Sequence, residues 1–231
     1  MYRLPSVFPT ISKRVLCSSI KPATCGPFIR QNFHSMPATM GRLSDAIKED
    51  HRELEAYHKH IVTSTDVDEQ ARFQNLFIWE LARHSISEEL VVYPVLEKEI
   101  LDGKAIADRD RADHQTVKEK LYKFQNLASQ DPEFLPTLES LMKDLRRHIK
   151  EEEGEDLVRL EEALGRDRSE AMASSFERTK MFTPTRSHPS APNKPPFETV
   201  VGLMTAPLDK LRDMFTKFPT EEEKSKAKGK L

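Results

Sequence analysis

The chain of 231 residues is 32% charged, contains only seven glycines and has a formal net charge of −2. This length can bury a substantial core in one main domain, and the composition favours helices with polar outer faces. No apolar run approaches the roughly 20 residues needed to cross a bilayer, and no basic patch interleaved with aromatic residues indicates a nucleic-acid groove. We therefore expect a soluble helical protein with neither a transmembrane segment nor a nucleic-acid partner.

The N-terminal segment differs in composition from the rest of the chain. The first 44 residues hold six basic residues and no acidic one, with frequent serine and threonine. This composition is typical of a mitochondrial transit peptide, so residues 1–43 are interpreted as a leader of a matrix protein. A disordered tail on a cytoplasmic protein is the alternative. Both cysteines, Cys17 and Cys25, lie in this leader, so no thiolate metal site, catalytic cysteine or disulfide is expected in the mature chain.

Four stretches beyond the leader carry apolar residues at intervals of three and four, which predicts four helices. They run from the N-cap residue Ser44 to about Ile61, over 67–93, over 105–129, and from near Pro132 to about Leu164. Pro94 should kink or end the second helix, because proline lacks an amide donor and clashes with the preceding turn. Short loops favour antiparallel neighbours, so the predicted fold is all-α, an up-down-up-down antiparallel four-helix bundle over residues 44–165.

Residues 166–231 are interpreted as a C-terminal extension with disordered or extended parts. SEAMASSFERTKMF could add a short helix, RSHPSAPNKPPF is typical of a proline-rich linker, and PLDKLRDMF predicts a small amphipathic helix. The final EEEKSKAKGKL is expected to be a solvated tail.

Histidines stand within the apolar stripes of all four predicted helices, and two of them are followed four residues later by glutamate. The six residues are His51, His84, Glu88, His114, His148 and Glu152. Residues four apart lie on one helix face, so each His/Glu pair can address a single point. A lone histidine on such a stripe is more often a satisfied core residue, which is the interpretation for His58. For the six residues of the site, the explanation as satisfied core residues would have to apply six times independently, on four helices. It is therefore much less favoured than a shared metal site.

The two glutamates provide the strongest argument for a metal. A buried ionised carboxylate without a partner costs several kcal/mol, and neither Glu88 nor Glu152 has an Arg or Lys on its own inner stripe. A cation from outside the chain must neutralise them, or they must stay protonated. Histidine and carboxylate ligands suit iron, and they also accept manganese or zinc.

These motifs resemble those of the hemerythrin-like, HHE cation-binding family of four-helix bundles. They are DH at 50–51, HSISEELVVYP at 84–94, DH at 113–114 and HIKEEE from 148, and they cover roughly residues 44–164. The resemblance implies two iron ions joined by an oxo or hydroxo bridge. The implied ligands are His51 and His84 at one iron, His114 and His148 at the other, and Glu88 and Glu152 bridging both. The segment FERTKMFTPTRSHPSAPNKPPFETVVGL also resembles the C-terminal extension of fungal members.

Two positions depart from the pattern of the oxygen-carrying members. Those members usually have a further histidine where this chain has Lys118, and an aspartate five residues after the last histidine, where Glu152 stands at four with Glu153 beside it. Fewer protein ligands leave more coordination positions open, which favours exchange of water, peroxide or nitric oxide over reversible oxygen carriage. Lys118 either donates a hydrogen bond to a bound oxygen species or extends to solvent.

Four acidic neighbours of the predicted ligands are assigned outer roles. Glu89 and Glu151 are expected to be solvated, and the alternative is that one of them acts as an additional ligand. Asp50 and Asp113, each adjacent to a predicted ligand, are candidates for orienting the histidines, although a surface charge is their more ordinary role.

Three functions fit these residues. The favoured one is a non-haem di-iron protein that binds O2, peroxide or nitric oxide in iron handling or stress protection. A second is a di-iron peroxidase or oxidase, with Lys118 and Tyr57 as candidate proton donors. A third is a metal-occupancy sensor or interaction module, in which the C-terminal extension responds to the metal.

Overall fold

The computed structural model describes residues 41–191 and 197–229, with side chains in the second range from residue 205 onward. These residues contain no β-strand, which confirms the all-α class. None of the helices described has the length and hydropathy to span a bilayer. Residues 1–40, which hold nearly all of the predicted leader with both cysteines, and residues 192–196 of the predicted linker lie outside the described residues. The helices are α1 Leu43–Thr63, α2 Val67–Ser87, α3 Tyr93–Glu99, α4 Gly103–Phe124, α5 Phe134–Glu151, α6 Leu157–Leu164, α7 Arg166–Lys180, α8 Phe197–Asp213 and α9 Glu221–Lys228.

Two of the predicted long helices are interrupted by a π-helical turn. Glu88–Val92 joins α2 to α3, and Glu152–Asp156 joins α5 to α6. A π turn inserts one extra residue into the helical hydrogen-bond pattern and shifts the following side chains around the axis, and such turns are frequent at functional sites. Each π turn begins at one of the two glutamates predicted to bind metal. The backbone irregularity therefore coincides with the predicted site.

The second predicted helix does not end at Pro94. The chain stays helical to Glu99, and Pro94 lies in the first turn of α3, directly after the π turn. Proline is tolerated in a first turn because the amide donors there lack partners in their own helix. The irregularity expected at Pro94 is therefore a π turn, which ends at Val92.

Helix ends differ from the sequence prediction by a few residues. α1 begins at Leu43, and the backbone amide of Arg42 donates to the Asp45 carboxylate at 2.9 Å, so Ser44 lies in the first turn rather than at the N-cap. The third helix ends at Phe124, and the fourth begins at Phe134 rather than near Pro132. None of these shifts moves a predicted ligand out of its helix.

The helices enclose two apolar clusters. α1 packs along α2 and α4 along α5, while α1 also contacts α5, and α2 also contacts α4. The first cluster includes Phe73, Phe77 and Phe124, and the second includes Val92 and Tyr93. Along each long helix the predicted ligands fall where one cluster gives way to the other. Apolar layers on both sides therefore separate the polar layer from water.

The C-terminal extension is more ordered than expected. It forms α7, α8 and α9, and α7 packs on α1 and α2. PLDKLRD forms the end of the longer helix α8, which contains Pro207, and Met214 and Phe215 follow it in a turn. The prediction of a solvated final tail agrees with the exposure of most of its described side chains, but the segment forms α9, which contacts α1 and places Ala227 in the first cluster. Ion pairs from Glu223 to Arg72 at 2.7 Å and from Lys228 to Glu53 hold α9 in place.

Candidate metal centre

The structure brings the six predicted site residues into one buried layer. His51, His84 and Glu88 offer one atom each to a group whose members all lie within 4.8 Å of one another. Glu88, His114 and His148 form a second group under the same limit. Glu88 belongs to both groups, and none of the six predicted side chains, including Glu152, is more than 2% exposed.

Glu88 divides its two oxygens between the groups. Oε1 lies 3.3 Å from Nε2 of His84, and Oε2 lies 3.3 Å from Nε2 of His114. Neither oxygen accepts a hydrogen bond from any residue described. Burial and the neighbouring Glu152 carboxylate raise the pKa of Glu88 well above its ordinary value. Without a cation this carboxyl therefore holds a proton, whereas two flanking cations would favour the bridging carboxylate.

Glu152 faces the remaining two histidines. Its Oε2 lies 3.4 Å from Nε2 of His51 and 3.9 Å from Nε2 of His148. Neither Glu152 Oε2 nor His51 Nε2 has a hydrogen-bond partner within the described part of the chain. Glu152 therefore lies between one histidine of each group, although it belongs to neither group itself.

Two of the four histidines are held in the neutral form that binds metals. Burial lowers the pKa of His84 and lowers that of His148 further, so both imidazoles are neutral near pH 7. Nε2 of His148 lies 3.0 Å from Nε2 of His114. The buried oxygens of Glu88 and Glu152 that lack hydrogen-bond donors, together with the imidazole nitrogens beside them, fit a cation. This mixed donor set suits iron, manganese or zinc.

Comparison with known proteins agrees with this donor set. The model of the hemerythrin HHE cation binding domain matches residues 42–160. A hemerythrin-like protein of Schizosaccharomyces pombe is 56% identical over 181 residues, which make up 78% of this chain and 89% of the relative. The chain belongs to the hemerythrin HHE cation-binding family. The resemblance inferred from the DH, HSISEELVVYP and HIKEEE motifs is confirmed, and cation binding is the property that defines the family's domain.

A solved structure shares the fold of this hemerythrin HHE protein. It is the crystal structure of a hemerythrin HHE cation binding domain-containing protein from Mycobacterium kansasii, with a TM-score of 0.51 and 23% sequence identity. The match covers 62% of this chain and 89% of that chain. At this identity the likeness concerns the fold alone.

Outer partners hold three of the four histidines in this hemerythrin-like site. In each case the Nδ1 atom, on the side of the ring away from the centre, lies 2.8 to 3.1 Å from a carboxylate oxygen, and that carboxylate is paired with a cation. We call these arrangements the cation–carboxylate–histidine chains. They are Arg52–Glu153–His51, Lys180–Asp50–His84 and Lys118–Glu89–His114. A carboxylate at Nδ1 fixes the tautomer and orientation of the ring and directs Nε2 toward the centre.

Asp50 serves as an orienting group, but for a different histidine from its neighbour in sequence. Its Oδ2 lies 3.0 Å from Nδ1 of His84. Although burial opposes ionisation, the hydrogen bonds and charges of His84 and Lys180 lower the pKa of Asp50 to about 2. Asp113, the other candidate, pairs with Arg147 at 2.9 Å, which is the surface role weighed for it.

Glu89 is fully buried, so the expectation that it is solvated is wrong. It joins His114 to Lys118, and Lys118 therefore has a carboxylate partner in place of either role predicted for it.

Glu151 remains substantially exposed, with 39% side-chain exposure. Both Glu89 and Glu153 directly follow a predicted ligand glutamate, and the π turns bring these second positions toward the histidines. In the sequence, the consecutive glutamates of SEEL and KEEE were the signal that could have indicated these outer partners.

Tyr93 lies against the site and was not predicted there. Its hydroxyl is 3.0 Å from Nε2 of His114, and its side chain is buried. Burial and the charge of Glu88 raise the pKa of Tyr93 well above its ordinary value, so the hydroxyl keeps its proton. Tyr57, the tyrosine proposed from sequence as a proton donor, instead donates to Glu53 at 2.9 Å. Tyr93 ends the same HSISEELVVY run that supplies His84, and this proximity in sequence was its signal.

A second acidic layer adjoins the predicted ligands. Asp110 lies one turn before His114, and Asp156 lies one turn after Glu152. Nη2 of Arg109 is 3.1 Å from the Asp110 carboxylate and 2.6 Å from the Asp156 carboxylate. Burial raises the pKa of Asp110 to about 7 and that of Asp156 to about 6. Arg109 offsets part of the negative charge that gathers beside the site.

Replacing Asp110 should change how the stability of the metal-free protein depends on pH. Its pKa rises from 3.8 in the unfolded chain to about 7 in the fold, so the folded protein binds this proton more tightly than the unfolded chain does. The resulting stabilisation is complete below pH 4 and is lost as the pH rises through 7. Wild type should therefore lose on the order of 4 kcal/mol relative to Asp110→Asn between pH 4 and pH 8. Chemical denaturation of both proteins across this range measures the difference, and a constant difference would contradict the assignment.

Proposed function

We propose that this hemerythrin-like protein is a non-haem di-iron protein that binds O2 or reactive oxygen or nitrogen species, in iron handling or stress protection. The observation that carries the proposal is the pair of buried donor groups sharing Glu88. In this proposal the helices form an up-down-up-down antiparallel four-helix bundle around two irons with an oxo or hydroxo bridge. The proposed ligands are His51 and His84 at one iron, His114 and His148 at the other, and Glu88 and Glu152 between them.

Charge balance supports two cations rather than none. The polar layer holds two buried glutamates, and among the described residues neither glutamate has an ion pair with lysine or arginine. Two divalent cations would offset both carboxylates and a bridging oxygen ligand. When bound, the irons supply redox-active positions that take small oxygen or nitrogen ligands.

A small cavity lies beside Glu89, the outer partner of His114. This cavity of about 30 Å³ lies between α2, α4 and the segment after α7, with Glu89 and Lys118 among its lining residues. That volume corresponds to only one or two water molecules. A cavity of this volume has room for a diatomic molecule or peroxide. The Tyr93 hydroxyl, which keeps its proton beside His114, is placed to donate a hydrogen bond to a small acceptor.

Metal analysis and ligand binding test the proposal. Protein produced in iron-supplemented medium should contain about two irons per chain, and the double variant His84→Ala/Glu88→Ala should lose them. Addition of nitric oxide to the reduced wild-type protein should change its optical spectrum. A folded wild-type protein that takes up no iron would refute the proposal.

Turnover separates binding from catalysis. Steady-state consumption of hydrogen peroxide at a catalytic enzyme concentration would favour the peroxidase alternative, for which the protonated Tyr93 is the supporting observation. Stoichiometric binding without turnover would support a binding protein. Tyr93→Phe is the matched variant, because it removes only the hydroxyl.

A further inference from the structure

The helix α7 lies beyond residues 42–160, which the family model matches, yet it reaches a proposed metal ligand. Its Lys180 is 5% exposed, and the ammonium group lies 2.7 and 2.8 Å from the two oxygens of Asp50. The same carboxylate is 3.0 Å from Nδ1 of His84. A single acidic residue therefore joins the C-terminal extension to the imidazole of His84.

A second contact from α7 reaches the same imidazole. Phe176 is fully buried and packs edge-on against the ring of His84, with 5.9 Å between ring centroids and 90° between ring planes. The ammonium of Lys180 lies 5.1 Å from the centroid of the Phe176 ring. α7 also packs on the π turn that begins at Glu88. The His84 ring is thus held from two directions by one helix of the extension.

We propose that α7 is an integral part of the metal centre, with Lys180 and Phe176 as positioning residues for His84. The proposal rests on the metal-binding function proposed above. Lys180 occupies both oxygens of Asp50, so the carboxylate stays in place as the acceptor for His84 and does not turn toward a metal. Phe176 packs edge-on against the imidazole ring of His84 and so helps to hold its orientation. The C-terminal extension and metal binding are therefore energetically coupled.

The coupling is asymmetric between the two metal positions. Arg52 and Lys118, the cations of the other two chains, lie within the region common to the family, whereas Lys180 lies outside it. His84 belongs to the first donor group, and the second group, with His114, has no described contact with α7 through a carboxylate. Loss of Lys180 should weaken the metal position at His84 and leave the other nearly unchanged.

Titration of the full-length, metal-free protein with Co²⁺ alone tests this asymmetry without an activity assay. Wild type should bind two ions, each step followed by the visible absorption of Co²⁺. Lys180→Met removes the charge at similar length and should weaken one of the two dissociation constants 10- to 100-fold, the range expected for loss of an outer partner of a histidine ligand. Lys180→Arg should restore most of the affinity. Arg178→Met, which removes an exposed cation from the same helix, is the matched control and should bind like wild type.

Hydrogen exchange in the unmodified protein gives a second test that does not depend on the folding of a variant. Coupling between two sites is reciprocal, so metal that tightens His84 must also stabilise α7. Backbone amides of residues 176–180 should exchange at least tenfold more slowly with Co²⁺ than without it. Amides of α9, which does not approach the centre, should change less.

The outcomes separate the two proposals. Two tightly bound ions in Lys180→Met, or α7 exchange that is unaffected by metal, would overturn the role of α7 while the metal-binding function stands. Equal weakening of both positions would also overturn it, because the geometry places Lys180 at His84 alone. Wild type that binds no Co²⁺ or iron would remove the proposed function, and the role of α7 with it.

Discussion

Glu88→Gln should abolish tight binding of both metals and leave the metal-free fold nearly unchanged. Glu88 is the one residue shared by both donor groups, and glutamine keeps its shape without its charge. Because the pKa of Glu88 is raised well above its ordinary value, the metal-free wild type already carries a neutral side chain there. Metal affinity should fall more than about 100-fold, while the free energy of unfolding of the apo protein should change by less than about 1 kcal/mol. Metal analysis and urea denaturation measure the two quantities.

The matched controls for this variant come from the same chain. Glu151→Gln alters a substantially exposed carboxylate five residues before Asp156 and should leave both quantities near wild type. Glu152→Gln should weaken metal binding less than Glu88→Gln, since Glu152 lies in neither of the two tight donor groups. Two metals retained by Glu88→Gln with wild-type affinity would contradict the bridging role.

Metal loading should raise the thermal stability of the wild-type protein strongly. A ligand present at a thousand times its dissociation constant stabilises the fold by about 4 kcal/mol per site. For a domain of this size each kcal/mol raises the melting temperature by about 2–4 °C, so two sites should raise it by on the order of 20 °C. Calorimetry of metal-free and metal-loaded protein at constant pH measures the shift. The ligand double variant His84→Ala/His148→Ala should show none, and an equal melting temperature for both forms of wild type would contradict the proposed site.

The physical reason for both expectations is the placement of the polar layer. Apolar clusters lie on either side of it, so the buried oxygens of Glu88 cannot be hydrated as they are in the unfolded chain. Without a cation, the fold must keep protons on its acids and leave hydrogen-bonding atoms unsatisfied. A bound cation removes both costs at once, and for this reason stability and metal affinity are expected to change together.

The sequence by itself determined the helices and the inward positions of the site. Apolar spacing of three and four located the long helices within a few residues, and the four-residue spacing of His84 with Glu88 and of His148 with Glu152 placed each pair on one face. These properties depend on the regular geometry of a single helix, and they can therefore be read from local spacing. The all-α class and the family followed from the same residues.

The tertiary structure decided which groups surround that site. Glu89 and Glu153 lie in the π turns, and from there they reach Nδ1 of His114 and Nδ1 of His51. Lys180 meets Asp50 across 130 positions of sequence, and α9 docks on α1 although its composition is that of a solvated tail. Such contacts depend on how helices pack and where their hydrogen-bond pattern breaks, and neither property leaves a periodic signal in the chain.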